Sequence, residues 1–267
     1  MIGPMGQREL DAAIQTFYTE VFDESSRLTT RSAQGRLEFE RTQEIVRTAT
    51  PPPARLLDVG GATGVHAAAF ARAGYHVVLL DPVESQVAAA ARTGTFVARV
   101  GDARQLDFPD ESFDTVLMAG PLYHLASRTE RVQALREARR VCRPGGWVHA
   151  AAIPRLSAFA AAALDQDLLA ASLDDWLGLL QHGTPVPALR FPGGHFHTPQ
   201  ELLDEMVEAG LRDVTVVGLE GPAGIALETV TDVADSDYSA ARQLAGTFAR
   251  TPDIRDFSNH LMGSGQV

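Results

Sequence analysis

The stretch RLLDVGGATGVHAAAF, Arg55 to Phe70, decides how the rest of the chain is read. RLLDV is short and apolar, and it stops abruptly at Gly60-Gly61-Ala62-Thr63-Gly64 before a helical pattern begins. A strand that feeds a helix through such a turn offers backbone N–H groups and no side-chain bulk, so a ligand can approach the main chain. A triphosphate, a dinucleotide or an adenosyl compound could use that opening. The P-loop ends in Gly-Lys-Ser/Thr, whereas Gly64 is followed by Val65 and His66. The dinucleotide fingerprint needs glycine at positions one, three and six. Counted from Gly60, the third position is Ala62 and the sixth is Val65, so that pattern fails as well.

Strand-like runs continue downstream as HVVLL, FVARV, FDTVLM and GWVHAAAI, with stretches of crossover length between them. Before the last of these, Ser127-Arg128-Thr129-Glu130 reads as a capping box. It opens a helix with Val132, Leu135, Ala138 and Val141 inward, closed by Pro144-Gly145-Gly146. This alternation predicts an α/β fold with a doubly wound, mostly parallel sheet covered on both faces. Upstream, Glu9–Val21 and Leu37–Val46 show helical periodicity, with Leu10, Ala13, Ile14, Phe17, Tyr18 and Val21 on one face of the first. The intervening DESSRLTTRSAQGR reads as a polar loop. Pro51-Pro52-Pro53 ends helix formation before the first strand.

Residues 154–196 break the rhythm. Leu164, Leu168, Leu169, Leu173, Trp176, Leu177 and Leu180 recur at helical spacing, and the Pro/Gly-rich TPVPALRFPGGHFH follows. Thr198-Pro199-Gln200-Glu201 starts another capped helix, Gly210 ends it, and RDVTVVGL and NHLMGSGQV read as terminal strands. The expected organisation is a helical cap over 1–50, a ligand-binding core over 51–153, a helical lid over 154–196 and the rest of the core over 197–267.

The 267 residues are 45% hydrophobic and carry a formal net charge of −11, enough apolar material for one sizeable core. That charge repels phosphate backbones, which argues against nucleic acid as a partner. The single cysteine, Cys142, falls in a helical pattern, excludes an internal disulfide, reads as a buried small hydrophobe and fits a reducing cytoplasm. MIGPMGQRELDAAIQTF shows no basic n-region or apolar h-region, and no apolar run reaches membrane-spanning length, so neither a secretory signal nor a membrane partner is expected.

Asp58-Val59-Gly60-Gly61-Ala62-Thr63-Gly64 resembles the first motif of class I S-adenosylmethionine-dependent methyltransferases, with Ala62 in place of that motif's middle glycine. LLDPVE places Asp81, followed by Pro82, where the family has an acid that accepts hydrogen bonds from both ribose hydroxyls. Gly101-Asp102-Ala103-Arg104 matches the end of the third strand, where an acidic or polar side chain reaches the adenine amino group. Phe113-Asp114-Thr115-Val116 and Arg143-Pro144-Gly145-Gly146 match the start of the fourth strand and the turn into the fifth. The resemblance covers roughly residues 55–153, and the terminal strand pair fits the family's antiparallel hairpin. It implies a seven-stranded Rossmann-like sheet and S-adenosylmethionine as cofactor, with S-adenosylhomocysteine as product. Each aspartate alone reads as a solvated turn carboxylate, but three at the ends of successive parallel strands converge on one crevice.

In that family the methyl group moves by in-line displacement, so alignment supplies much of the rate and a base is needed only for a protonated acceptor. The resemblance puts Ala119 and Gly120 beside the methionine part of the cofactor. Tyr123 and His124 are then expected at the acceptor, with His124 as candidate base because its unperturbed pKa lies near neutrality. His195 and His197, in a loop before a capped helix, are expected at the pocket rim, with no third ligand for a metal. Tyr18 and one of Arg27, Arg31 or Arg36 are expected to close over the site, an arginine pairing with the cofactor carboxylate; Arg27 and Arg31 read better as a solvated loop, which leaves Arg36. His66, His76, His149, His182 and His260 read as structural. The expected reaction is methyl transfer to an O, N or C atom of a small, partly hydrophobic metabolite by a monomer or homodimer. Cyclisation or lysis on the same cofactor, or non-catalytic cofactor binding, remain the alternatives. An NAD-dependent oxidoreductase is more distant.

Overall fold

The computed structural model describes residues 6–22, 24–164, 171–186 and 192–267. Leu168 and Leu169 of the apolar stripe, the Leu164 side chain and loop residues 187–191 lie outside the described residues. The first half runs α1 (Gln7–Thr16), α2 (Glu24–Arg27), α3 (Ala33–Ala49), β1 (Arg55–Val59), α4 (Val65–Arg72), β2 (His76–Asp81), α5 (Glu84–Ala91), β3 (Val97–Val100) and β4 (Phe113–Met118). The second runs α6 (Arg128–Val141), β5 (Cys142–Ala152), α7 (Arg155–Leu164), α8 (Leu173–His182), α9 (Pro199–Glu208), β6 (Arg212–Gly218), α10 (Gly224–Leu227), α11 (Asp235–Phe248) and β7 (Leu261–Gln266).

The seven strands form one sheet in the order β3-β2-β1-β4-β5-β7-β6. The first five are parallel, and β7 runs antiparallel to both β5 and β6. Because helices cover both faces, the central strands need no alternation and read as unbroken apolar runs. On one face, Val132 and Leu135 of α6 and Leu202 and Met206 of α9 pack on Leu57, Val116 and Val148. On the other, Val46 of α3 and Ala67 and Phe70 of α4 pack on Leu56, Leu79 and Leu117. Phe70 is wholly buried, and burying such a side chain contributes ~1.5–3 kcal/mol. Chain order reverses between β1 and β4, and at that switch point the crevice opens beyond the strands' carboxyl ends.

Four local expectations are corrected. The first helix leaves α geometry at Phe17 for a wider π turn through Val21, which rotates Val21 off the apolar face and leaves it 70% exposed. The polar DESSRLTTRSAQGR is not a loop throughout. It contains α2, and α3 begins at Ala33, capped by Ser32, whose Oγ accepts the Gly35 N–H at 3.1 Å. The box at Ser127 does not close: no side-chain bond caps α6, because Glu130 turns instead to Arg104 at 2.9 Å. The Thr198–Glu201 box does close, with reciprocal bonds of 3.2 and 2.8 Å. Finally, α6 stops at Val141 and Cys142 starts β5, where burial pushes its thiol up to about 12.

The described residues of the helical insertion pack mainly on one another. Trp176 and Leu179 pack inward against Ala158, Ala162 and Phe196, whereas Leu173, Leu177 and Leu180 face outward. None of the described residues of 154–196 lines the crevice. The segment instead braces the Pro121–His124 turn from behind, the Gly194 N–H donating to the Tyr123 carbonyl at 2.7 Å.

Candidate active site

A cavity of about 310 Å³ opens at the switch point, within the size range of small-molecule sites. Its floor comes from the ends of β1, β2 and β4 and the segment after β3, and α1, the π turn and α2 form its roof. Asp58, Gly60, Gly61, Ala62, Asp81, Pro82, Asp102, Ala103, Arg104, Ala119 and Gly120 all line it, as do Tyr18, Tyr123 and His124. Gly64 does not. Its φ of +84° starts α4, and an added Cβ would sit 2.5 Å from the Phe96 ring, so the turn requires a glycine there.

The glycine turn is bare because the chain packs closely over it. At Gly60 (φ +73°) an added Cβ would lie 2.8 Å from Pro121, and at Gly61 it would meet Leu79 at 2.6 Å and Asp58 at 2.7 Å. Ala62 adopts φ +48°, held by its N–H donating to Asp81 Oδ2 at 2.9 Å. The Val83 N–H donates to Asp81 Oδ1, also at 2.9 Å. Burial nevertheless raises Asp81 to about 6, with the two amides pulling the other way. Each oxygen keeps a lone pair for a ligand hydroxyl.

Asp58 is fully buried, and neither of its oxygens makes a well-formed hydrogen bond, the Ala67 amide contributing only weakly. Burial, then the nearby Asp81, raise it to about 7. Thr63 Oγ1 and His66 Nε2 are likewise buried without a partner among the described residues, and both residues line the same cavity. Buried polar atoms are costly to leave unpaired, so a cluster of them facing one cavity fits a polar ligand. The lining holds five carboxylates (Asp11, Glu24, Asp58, Asp81, Asp102) against two guanidiniums (Arg27, Arg104). That balance disfavours a pyrophosphate and suits a cation such as a sulfonium carrying an ammonium group.

Arg104 is committed to carboxylates: Asp102 at 2.6 Å, Glu130 at 2.9 Å and Asp11 of α1 at 3.0 Å. It therefore ties the roof to the floor and shapes the Asp102 end. Burial opposes ionisation of Asp102, but hydrogen bonds from Arg104 outweigh it and hold the carboxyl below its usual range. Further straps come from Gln7, which accepts the Ala126 N–H at 2.9 Å, and Gln15, which donates to the Pro82 carbonyl at 2.7 Å.

At the acceptor end, His124 sits in a short 3-10 turn directly after the β4 loop. Its Nδ1 lies 3.0 Å from the Pro192 carbonyl, which can only accept, so Nδ1 carries the proton. Nε2 is therefore an acceptor, and it receives the Tyr18 hydroxyl at 3.1 Å. Burial lowers His124 to about 4, so the ring is neutral at physiological pH. Tyr123 donates its hydroxyl to the Ala119 carbonyl at 2.9 Å, and burial raises its pKa, so it positions the loop after β4 and is no base.

Three expected substrate residues lie elsewhere. Arg36 is half exposed, pairs with Glu40 at 3.0 Å and stacks over Tyr238, because it points away from the roof on the outer face of α3. His195 and His197 are buried against α9, and His197 lies 3.2 Å from Glu205; the loop holding them folds inward, so neither lines the cavity. Conversely, Arg27 is not solvated. It lines the cavity and pairs with Glu24 at 2.6 Å and Glu38 at 2.7 Å. His66 also faces the cavity and is not merely structural. Its signal in the sequence is its place in the first turn after Gly64, where a helix N-terminus meets the ligand.

Comparison with known proteins agrees with this geometry. Residues 57–150 match the model of a family described as a methyltransferase domain. Over 188 residues the chain is 33% identical to the ubiquinone/menaquinone biosynthesis C-methyltransferase of Ralstonia pickettii, covering 66% of this chain and 74% of that protein. It spans about 36–56% of the length of several other curated methyltransferases that it matches. Among solved structures, a possible histamine N-methyltransferase from Thermotoga maritima superposes with a TM-score of 0.59 at 18% identity, over 96% of this chain and 98% of that one. The (4+2)-cyclase SpnF superposes with a TM-score of 0.53 at 20% identity, over 85% and 80%. At those identities the structures attest the fold, and the sequence relative carries the family. With its acid-rich cleft at the β1–β4 switch point, the chain belongs to the class I S-adenosylmethionine-dependent methyltransferases.

Proposed function

We propose that this protein transfers a methyl group from S-adenosylmethionine to a small, partly apolar acceptor, and that His124 with Tyr18 takes up the acceptor's proton. The observation that carries this reading is the Tyr18–His124 pair over the β4 loop, with its tautomer fixed by the Pro192 carbonyl. The cofactor would be held by Asp81 at the ribose, the Asp102–Ala103 segment at the adenine and Asp58 with Gly60 and Gly120 at the methionine end. When bound, it supplies an electrophilic methyl group on sulfur.

The residues of the chain do the rest. Leu28, Leu125 and the Tyr18 ring give the acceptor an apolar wall, and the α1 roof excludes water. The acceptor's hydroxyl donates to the Tyr18 oxygen, and the Tyr18 proton passes to His124 Nε2. A base of low pKa suffices, because the proton of an attacking hydroxyl becomes strongly acidic as its oxygen gains the methyl group. A carbon nucleophile loses its proton after attack by the same route.

The relative's name makes a phenol or hydroquinone a sensible first member of an acceptor panel. The assay is S-adenosylhomocysteine release. Methylthioadenosine release, or turnover of acceptor without cofactor consumption, would indicate lysis or cyclisation instead. Asp81→Ala is expected to weaken cofactor binding roughly 10²–10⁴-fold, as loss of two hydrogen bonds to a charged acceptor implies. Calorimetric titration checks this, and unchanged affinity would remove Asp81 from the ribose site.

A further inference from the structure

We propose that Gln86 is a positioning residue for the reaction, which aims the Tyr18 hydroxyl at His124 by holding the Tyr18 main chain. This inference rests on the Tyr18–His124 relay proposed above. The π turn that carries Tyr18 creates the need for a holder. In an α-helix the Phe22 N–H would donate to the Tyr18 carbonyl, four residues back. Here it donates to the Phe17 carbonyl at 3.0 Å, five residues back, and the Tyr18 carbonyl loses its helical donor. Gln86, in the first turn of α5, takes that donor's place. Its Nε2 donates to the Tyr18 carbonyl at 2.7 Å. A carbonyl only accepts, so the amide nitrogen is the atom that faces it. The bond fixes the roof to the corner that follows Asp81.

An amide is a costly side chain for this place. Gln86 is 7% exposed and lines the cavity, and its Oε1 has no partner among the described residues. Burying an unpaired acceptor costs free energy that a methionine or leucine of similar size would avoid. What the amide contributes instead is the bond to Tyr18. The rings that pack edge-on against Tyr18, Phe17 at 5.1 Å and Phe22 at 6.1 Å, belong to the same turn and move with it. His124 is fixed separately, by its 3-10 turn and the Pro192 carbonyl. The Tyr18 hydroxyl meets that fixed acceptor at 3.1 Å only while its main chain is held in register. The relay therefore joins two halves with separate anchors, and Gln86 is the anchor on the Tyr18 side. Thr19 adds a second tie to α5, its hydroxyl 3.2 Å from that of Ser85, but this tie is exposed and leaves the Tyr18 carbonyl untouched.

The test uses the full chain with isotope-labelled histidine, whose ring nitrogens report their hydrogen bonds by magnetic resonance without a methyl acceptor. His124→Phe identifies the His124 signals among those of the eight histidines. Tyr18→Phe gives the position of the Nε2 signal once the hydroxyl is lost. Gln86→Met, which keeps the length of the side chain and removes the amide, is expected to move that signal most of the way to the Tyr18→Phe position. Combining Gln86→Met with Tyr18→Phe should move it no further. Thr19→Val, which cuts the neighbouring tie, should leave it at the wild-type position. Gln86→Asn keeps an amide but withdraws it by one methylene, about 1.5 Å. It should give the same shift, and it carries the test should Gln86→Met not fold. With a phenol or hydroquinone that turns over, Gln86→Met should lower kcat roughly 10–100-fold and cost nothing further once Tyr18 is phenylalanine. A His124 signal unmoved in the Gln86 variants, one moved as far by Thr19→Val, or additive losses in kcat overturn the inference and leave the relay standing. A signal that Tyr18→Phe itself does not move removes the relay, and this inference with it.

Discussion

His124→Phe is expected to lower kcat by roughly 10²–10⁴, or ~3–5 kcal/mol in the barrier, while S-adenosylhomocysteine affinity stays within about threefold. Phenylalanine keeps the ring volume but removes both nitrogens. The Tyr18 hydroxyl then loses its acceptor, and the Pro192 carbonyl loses its donor. Tyr18→Phe should reduce kcat too, and the double variant should be little worse than His124→Phe, because the two residues act as one relay. Full additivity would show that they act separately. An unchanged kcat in His124→Phe, with a methyl acceptor in hand, would leave alignment alone as the source of the rate.

The same pair gives a distinctive pH dependence. A base works in its unprotonated form, and burial sets His124 at about 4, well below the ordinary histidine value. At saturating cofactor, kcat should therefore stay level as pH falls through 6.5 and decline only toward about 4. Asp81 behaves differently: raised to about 6 by burial, it loses its charge below that pH. The KM for cofactor should rise below about pH 6 while kcat holds. A single inflection near 6.5 in kcat would assign the proton to a solvated histidine instead.

How much of this was legible in the sequence follows from where the information is local. The glycine turn, Asp58, Asp81 and Asp102 sit at strand ends, and a short apolar run that gives way to a helical pattern marks the first two of those ends. The strand β7 was a fainter signal, since Gly263 and Gly265 weaken its pattern. The structure supplies the reason: a side chain at Gly263 would collide with the Met206 sulfur of α9. The roof was the hardest part. ESSR and its surroundings look polar enough to be solvated, yet Arg27 is bound by Glu38 from a helix eleven residues on, and Glu38 is further held by Gln34 at 3.3 Å. Nothing short-range announces a buried ion pair. His195 and His197 misled for the converse reason, since a loop between Pro/Gly residues and a capped helix usually faces solvent. Here it folds inward because Glu205, the partner of His197, is itself buried.

That buried group sets the largest expected effect on stability. Arg131 of α6 donates to both oxygens of Glu205, at 2.7–3.1 Å, and to the Leu125 and Ala126 carbonyls at 3.1 and 2.9 Å. His197 completes the cluster from the other side, and all three side chains are almost wholly buried. Arg131→Leu leaves the Glu205 charge with only neutral His197 and a distant Arg128 at 3.9 Å, and strips two carbonyls of their donor, which should cost ~3–5 kcal/mol. For a domain of this size that is a fall in Tm of roughly 6–20 °C. Arg128→Leu, also on α6, removes a half-exposed pair with Glu208 of α9 and should cost no more than ~1 kcal/mol. Acid should act on the cluster as the first substitution does. Burial would raise Glu205, but hydrogen bonds from His197 and Arg131 hold it at about 2, so its contribution is present above its unfolded pKa and fades as pH falls toward 2. Burial lowers His197 to about 4, so its neutral form stabilises above about 6.5 and that stabilisation is lost as pH falls toward 4. Both losses lie on the acid side, so wild-type Tm should drop steadily below pH 6.5. In a triple variant with leucine at 131 and 205 and phenylalanine at 197 the slope should become shallower, since this cluster then exchanges no proton. A wild-type slope that survives the triple change would place the acid sensitivity elsewhere in the fold.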